Sequence, residues 1–249
     1  MKIQYNKKYS ENLGREMEWK QYGDKGQGVL VFPSQNQRFF EWEDNGMVDV
    51  LSPLIEAGKI HLICCDSIDS ETWSLYDGDH HTRIELHERW FRYITEELIP
   101  SVNEGEKLIV TGCSMGGYHA GNFFFRRPDL FCSLVSLSGL FHADYFFNNF
   151  TNELVWNNSP LHYLSEKRDP SLLLETLRGK EIILCCGQGY YEEITCPSTV
   201  RLGNLLKEKN VPAWVDIWGK DVSHDFYWWR KQALYLFDKL INKDLQIAA

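Results

Sequence analysis

Lys107-Leu108-Ile109-Val110-Thr111-Gly112-Cys113-Ser114-Met115-Gly116-Gly117-Tyr118 is the stretch on which the reading of this chain turns. Its first five residues are an apolar run of strand length, and Met115 to Phe125 has the length and spacing of a helix. Between them stands Gly-x-Ser-x-Gly, with Ser114 at its centre. A serine in such a turn sits on a strained backbone that leaves little room for neighbouring side chains and exposes its hydroxyl above the strand ends. Gly112 and Gly116 supply that room. Glycine and serine are also common in ordinary turns, so the motif alone is weak. The flanking strand and helix favour Ser114 as a nucleophile. The Met115 amide then lies at the helix N-terminus, where the dipole favours a developing negative charge.

Working outward, further strand-length apolar runs occur at Gly28–Phe32, Ile60–Cys65, Ser133–Leu137, Glu181–Cys186 and Ala213–Trp218. Helical spacing appears at Arg83–Leu98, Ser198–Lys209 and Phe226–Ile241. Strands that alternate with helices predict a mostly parallel sheet covered on both faces, a three-layer α/β sandwich. Ile3–Tyr9 and Glu16–Tyr22 alternate polar and aromatic residues and suit an antiparallel hairpin at one edge of that sheet. Residues 1–249 are read as one domain, with Phe141–Leu164, which has no clear period, as a lid or wall over a cleft.

A serine hydroxyl needs a base, and histidine suits because its unperturbed pKa lies near ~6.5. Where serine occupies a strand-to-helix turn of this kind, the acid and then the histidine follow it along the chain. His224 is the one histidine beyond the sixth strand, in Ser223-His224-Asp225-Phe226, just before a helix that Ser223 or Asp225 could cap. His80 and His81, in a polar loop, are expected to be solvated, and His119, on the helix after Ser114, is expected to pack against the sheet. The acid should follow Glu181–Cys186. No Asp lies between that strand and Asp216, which leaves Glu192, favoured for its place at the end of a glycine-bearing loop, and Glu193 as the alternative. A second oxyanion donor is expected from the loop Pro33-Ser34-Gln35-Asn36-Gln37, at Gln35 or alternatively Asn36. Trp73, Phe141, Tyr190 and Trp228 are candidates to line the substrate pocket, with a role as core filler the competing reading of each.

Composition narrows the classes. Lys and Arg number 26 against 35 Asp and Glu, a net charge of −9, with no dense basic run, which argues against nucleic-acid binding. The N-terminal residues lack an apolar secretion signal and no stretch has the ~18 apolar residues of a membrane span, so no membrane association and a cytoplasmic location are expected. Cysteines number seven, four of them in the adjacent pairs Cys64-Cys65 and Cys185-Cys186. Neighbours on a strand point to opposite faces, so reduced thiols are expected, and no Cys or His spacing suggests a metal. No cofactor is implied, and homo-oligomerisation is left open.

Three motifs together resemble a known family: GCSMGG at Gly112–Gly117, CGQG at Cys186–Gly189 followed by an acid, and SHDFYWW at Ser223–Trp229. They resemble the esterase family that includes esterase D (S-formylglutathione hydrolase), feruloyl esterase domains and the antigen 85 mycolyltransferases. The resemblance covers most of the chain from Gly28 onward. It implies an α/β-hydrolase fold, a Ser-acid-His triad of Ser114, Glu192 or Glu193, and His224, and hydrolysis of a small-molecule carboxylic ester through an acyl-enzyme. Esterase D-like members commonly carry Asp as the acid, where this chain offers only glutamates. Acyl transfer by the same residues and a non-catalytic binding scaffold are the alternative readings.

Overall fold

A computed structural model describes residues 1–103, 105–166 and 171–242. Eight strands form one sheet: β1 (Ile3–Ser10), β2 (Arg15–Tyr22), β3 (Gln27–Phe32), β4 (Ile60–Cys65), β5 (Leu108–Cys113), β6 (Phe131–Leu137), β7 (Glu181–Cys186) and β8 (Trp214–Ile217). Their spatial order is β1-β2-β4-β3-β5-β6-β7-β8. From β4 to β8 every neighbouring pair is parallel, whereas β1 and β2 form an antiparallel hairpin that joins β4 through Trp19 opposite Cys65. The hairpin and all six further strands therefore stand where hydrophobic spacing predicts them, although β8, at the edge of the sheet, is half-buried along its length.

Helices cover both faces. The helical segments are α1 (Glu41–Asp44), α2 (Met47–Glu56), α3 (His80–Arg92), α4 (Ile99–Val102), α5 (Met115–Arg126), α6 (Glu153–Asn157), α7 (Pro160–Tyr163), α8 (Ser171–Arg178), α9 (Thr195–Glu208) and α10 (Phe226–Ile241). Alternation along each strand sorts the core into two layers. Val29, Val31, Ile109 and Val135 pack with α2 and α10, whereas Leu30, Phe32, Val110 and Leu134 pack with α3, α5 and α9. The adjacent Cys64 and Cys65 fall on opposite layers, and all seven cysteines are free thiols.

Three local features depart from the sequence reading. The helix expected over Arg83–Leu98 begins earlier, at His80, because Asp79 caps it by accepting from the Thr82 amide at 2.8 Å. His80 and His81 thus belong to its first turn rather than to a loop. His80 is also half-buried, with Nδ1 2.9 Å from Arg83 Nη1 and its ring against Phe147 and Phe150. After Arg92 the helix widens into a π-turn over Tyr93–Leu98. Lastly, α2 forms across Pro53, which has no amide to offer Asp49; the Ser52 hydroxyl donates to the Asp49 carbonyl instead, at 2.8 Å.

Candidate active site

In a parallel sheet, all the loops that follow the strands leave the same edge, and ligands bind there. The register places Phe32 of β3 beside Gly112 of β5, and Cys113 of β5 beside Leu137 of β6. Ser114 therefore emerges between the ends of β3 and β6. Its φ of 57° lies in the left-handed region, a costly conformation for a residue with a side chain. Two backbone bonds hold it: the Ser114 amide donates to Leu137 O at 2.8 Å, and its carbonyl accepts from the Tyr118 amide at 3.0 Å. A Cβ at Gly116 would stand 2.3 Å from Phe32 O, so only glycine lets α5 pass this close to β3. Met115 opens α5, among the amides that have no partner within a helix.

His224 arrives from the far side of the sheet. Asp225 caps α10 by accepting from the Trp228 amide at 3.2 Å, and His224 precedes that cap. His224 Nε2 is 2.8 Å from Ser114 Oγ, across a sequence separation of 110 residues. Stitches between the loops after β7 and β8 fix the approach. The Gly189 amide donates to Val222 O at 2.8 Å and the His224 amide donates to Tyr190 O at 2.9 Å. A Cβ at Gly187 would meet Val222 O at 2.0 Å, which makes glycine a condition of that contact.

The two glutamates part company here. Glu192 is 1% exposed, and its Oε2 lies 3.5 Å from His224 Nδ1. Its Oε1 accepts from Ser138 Oγ at 2.5 Å and from the Gly187 amide at 3.4 Å, and the Thr195 hydroxyl donates to Oε2. Glu193 is exposed to solvent. The 3.5 Å separation exceeds a formed hydrogen bond, and Nδ1 makes none; contacts of this kind are often long in ligand-free enzymes and tighten with substrate.

A cleft of about 360 Å³ opens above Ser114 and His224. Its walls include Met115, Leu140, Tyr145, Phe146, Tyr191 and Ile194, and none of its lining side chains is an acid, a lysine or an arginine. Leu140, Tyr145 and Phe146 come from the segment Phe141–Leu164 and the residue before it, so that region does wall the cleft. Gln35 reaches the same cleft, its Nε2 held by Ser74 Oγ at 2.7 Å and Tyr76 Oη at 3.1 Å. Asn36, at φ 63°, sits exposed at the corner of a turn closed by the Gln37 amide on Ser34 O at 3.0 Å.

None of the four aromatic residues expected in the pocket lines the cleft. Trp73 is fully buried and donates its indole N–H to His87 Nδ1 at 3.0 Å. Phe141 is equally buried, against the face of Gly121. Tyr190 is turned to solvent with its ring tilted against that of Tyr191, which takes the lining position. Trp228 lies against Trp218, Tyr227 and Lys231 on the outer face of α10. His119 is fully buried as expected, 2.9 Å from Asp69 Oδ1 and ringed by Phe32, Trp73 and Trp90. The sequence reading passed over Ser138 and Thr195 and gave no role to Trp229, the last residue of the SHDFYWW motif; each of the three touches Glu192, His224 or another of them. Ser138 was within reach of it, as the first residue after a predicted strand at the edge where Ser114 emerges. Among the described residues, no cluster of three or more His, Cys, Asp or Glu side chains could hold a metal ion.

The model of the family described as "Putative esterase" matches residues 39–240. The chain belongs to this esterase family. Solved structures similar to this esterase include a ferulic acid esterase, with a TM-score of 0.76 and 15% identity over 97% of this chain and 98% of that one. An S-formylglutathione hydrolase from Agrobacterium tumefaciens gives 0.74 and 13%, covering 95% and 93%. MPT51 (FbpC1) of Mycobacterium tuberculosis gives 0.71 and 13%, covering 97% and 98%. At such identities the likeness is one of fold, and the fold is the α/β-hydrolase sandwich. No curated protein matches the sequence. Among the described residues, no helix of this esterase is long and apolar enough to cross a membrane.

Proposed function

We propose that this esterase cleaves small, uncharged carboxylic esters through an acyl-enzyme on Ser114. The observation that carries the reading is the 2.8 Å contact between Ser114 Oγ and His224 Nε2 at the floor of an open cleft. With Nε2 accepting the serine proton, Nδ1 carries the other proton and faces Glu192, which holds that tautomer and stabilises the imidazolium once it forms. Ser114 attacks the acyl carbonyl, and the tetrahedral oxyanion is received by the Met115 amide and by an amide at Gln35. His224 then returns its proton to the departing alcohol. Water, activated by the same imidazole, releases the acid and restores the serine. A cleft without charged lining supports a neutral acyl group and a neutral alcohol, because an ion entering it would lose hydration with no opposite charge to replace it.

The experiment compares wild type with Ser114→Ala on nitrophenyl esters of graded chain length, together with labelling by a fluorophosphonate. Loss of the nucleophile should lower kcat by several orders of magnitude, about 10⁴- to 10⁶-fold, with the fold intact by circular dichroism. The label should appear on wild type alone. Equal rates, or equal labelling, would refute the reading.

A further inference from the structure

Ser138 lies directly after β6, 0% exposed and with φ 54°, again a left-handed conformation on a residue with a side chain. Its amide donates to Cys185 O at 2.7 Å, which pins it between the ends of β6 and β7. Its Oγ meets two groups, Glu192 Oε1 at 2.5 Å and Trp229 Nε1 at 3.1 Å. The chemistry of the partners fixes the direction of both bonds. An indole N–H can only donate, and a hydroxyl has one proton. Trp229 therefore donates to Ser138 Oγ, and Ser138 gives its proton to the carboxylate. The same indole meets the His224 ring in a T-shaped arrangement, with ring centroids 4.8 Å apart at 79°.

We propose that Ser138 and Trp229 form a positioning relay that holds the carboxylate of Glu192 and the ring of His224 in mutual register. The inference rests on the triad proposed above. Trp229 reaches both halves of the acid–base pair, the imidazole directly and the carboxylate through Ser138: its ring sets the plane of the imidazole, and its N–H orients the hydroxyl that fixes Glu192 Oε1. With Oε1 held, Oε2 is left facing Nδ1 at 3.5 Å, where a small rotation of the carboxylate closes the remaining gap when substrate binds. The strained φ at Ser138 is the backbone conformation that sends this hydroxyl toward Glu192 instead of along the strand. Such strain persists only where the surroundings hold it, here through the bond to Cys185 O.

The test uses Ser138→Ala, Trp229→Phe, which keeps a ring against His224 but removes the N–H, and the double variant. Each is assayed for kcat and KM on a nitrophenyl ester, beside Ser114→Ala, and rates are normalised to sites titrated with a fluorophosphonate. Ser138→Ala should lose about 10- to 100-fold in kcat with KM unchanged. Trp229→Phe should lose less. The double variant should fall within about twofold of Ser138→Ala, because without the hydroxyl the indole N–H has nothing to orient. A rise in KM at constant kcat would make Ser138 a substrate contact and overturn the relay. Losses that multiply in the double variant would overturn it as well, by showing two independent packing effects. Should Ser138→Ala not fold, Trp229→Phe decides alone, since full kcat in that variant contradicts the relay. If Ser114→Ala is inactive while these variants are normal, only this inference fails; an active Ser114→Ala removes the triad reading itself.

Discussion

Glu192 and Glu193 are adjacent and chemically identical, yet one is enclosed beside His224 and the other faces water. That contrast makes a direct prediction. Glu192→Gln keeps the shape but offers His224 no charge, and its amide is placed among donors; kcat should fall by about 10³- to 10⁴-fold. Glu193→Gln should stay within about twofold of wild type. Steady-state kinetics of the pair settles which carboxyl serves, and equal losses would place neither in the proposed role. At this scale the sequence was partly legible. Chain order and strand position isolate Ser114 and His224, since few residues of the right chemistry occupy those positions. Aromatic residues resist such a reading because a flat ring suits a core as well as a cleft. Trp73 and Phe141 went to the core, whereas Tyr145, Phe146 and Tyr191 line the cleft. Tyr190 and Tyr191 are almost equally exposed, at 66% and 64%, and nothing local to them says which of the two borders the cleft, as Tyr191 does.

Among the elements, α5 follows Ser114 and packs it against the sheet. Its passage beside β3 depends on Gly116, where an added methyl would press on the carbonyls of Phe32 and Pro33 at 2.3 and 2.7 Å. Those atoms belong to backbone and cannot rotate away. Gly116→Ala should therefore destabilise the fold by about 1–3 kcal/mol, read as a lower urea midpoint. It should also lower kcat in molecules that remain folded, because Pro33 leads into the loop that carries Gln35. An unchanged midpoint would show that α5 can shift without cost. Buried parallel strands are the elements most legible in the sequence, since both faces are covered and each reads as a continuous apolar run. Helices were less so. The π-turn at Tyr93–Leu98 leaves no mark in a pattern that fits an unbroken helix, and α2 contains a proline that argues against it until the Ser52 hydroxyl is seen to serve Asp49 O.

Across the whole molecule, the pH dependence of stability should carry the signature of buried neutral histidine. Burial holds the His87 pKa well below its usual value, with the nearby His119 and Arg126 acting in the same direction. Its hydrogen bonds agree: Trp73 donates to Nδ1 at 3.0 Å, leaving Nε2 to donate to Asn158 Oδ1 at 3.0 Å, a neutral tautomer. Because the folded pKa lies below the unfolded one, the unfolded chain takes up the proton first as acid is added. The stabilisation is complete above the unfolded value of ~6.5 and is lost progressively below it. Thermal midpoints should fall between about pH 6.5 and pH 5, and His87→Gln should flatten that slope. Parallel slopes for the two proteins would contradict the assignment. His142 is also depressed by burial and adds to the wild-type slope, but it is common to both proteins and cancels in their difference.

The order β3-β5-β6-β7-β8 runs across the sheet in the order of the chain, and the residues proposed for catalysis hang from successive portions of it. Gln35 follows β3, Ser114 follows β5, Glu192 follows β7 and His224 follows β8. A ribosome delivers these portions one after another, so a nascent chain can pair its first parallel strands while it still lacks any imidazole beside Ser114. Turnover then begins only when the last strand docks and α10 closes over it. In refolding, recovery of ester cleavage should trail the recovery of helical signal, because enzymatic competence waits for β8, the last strand of the chain, to pair with β7.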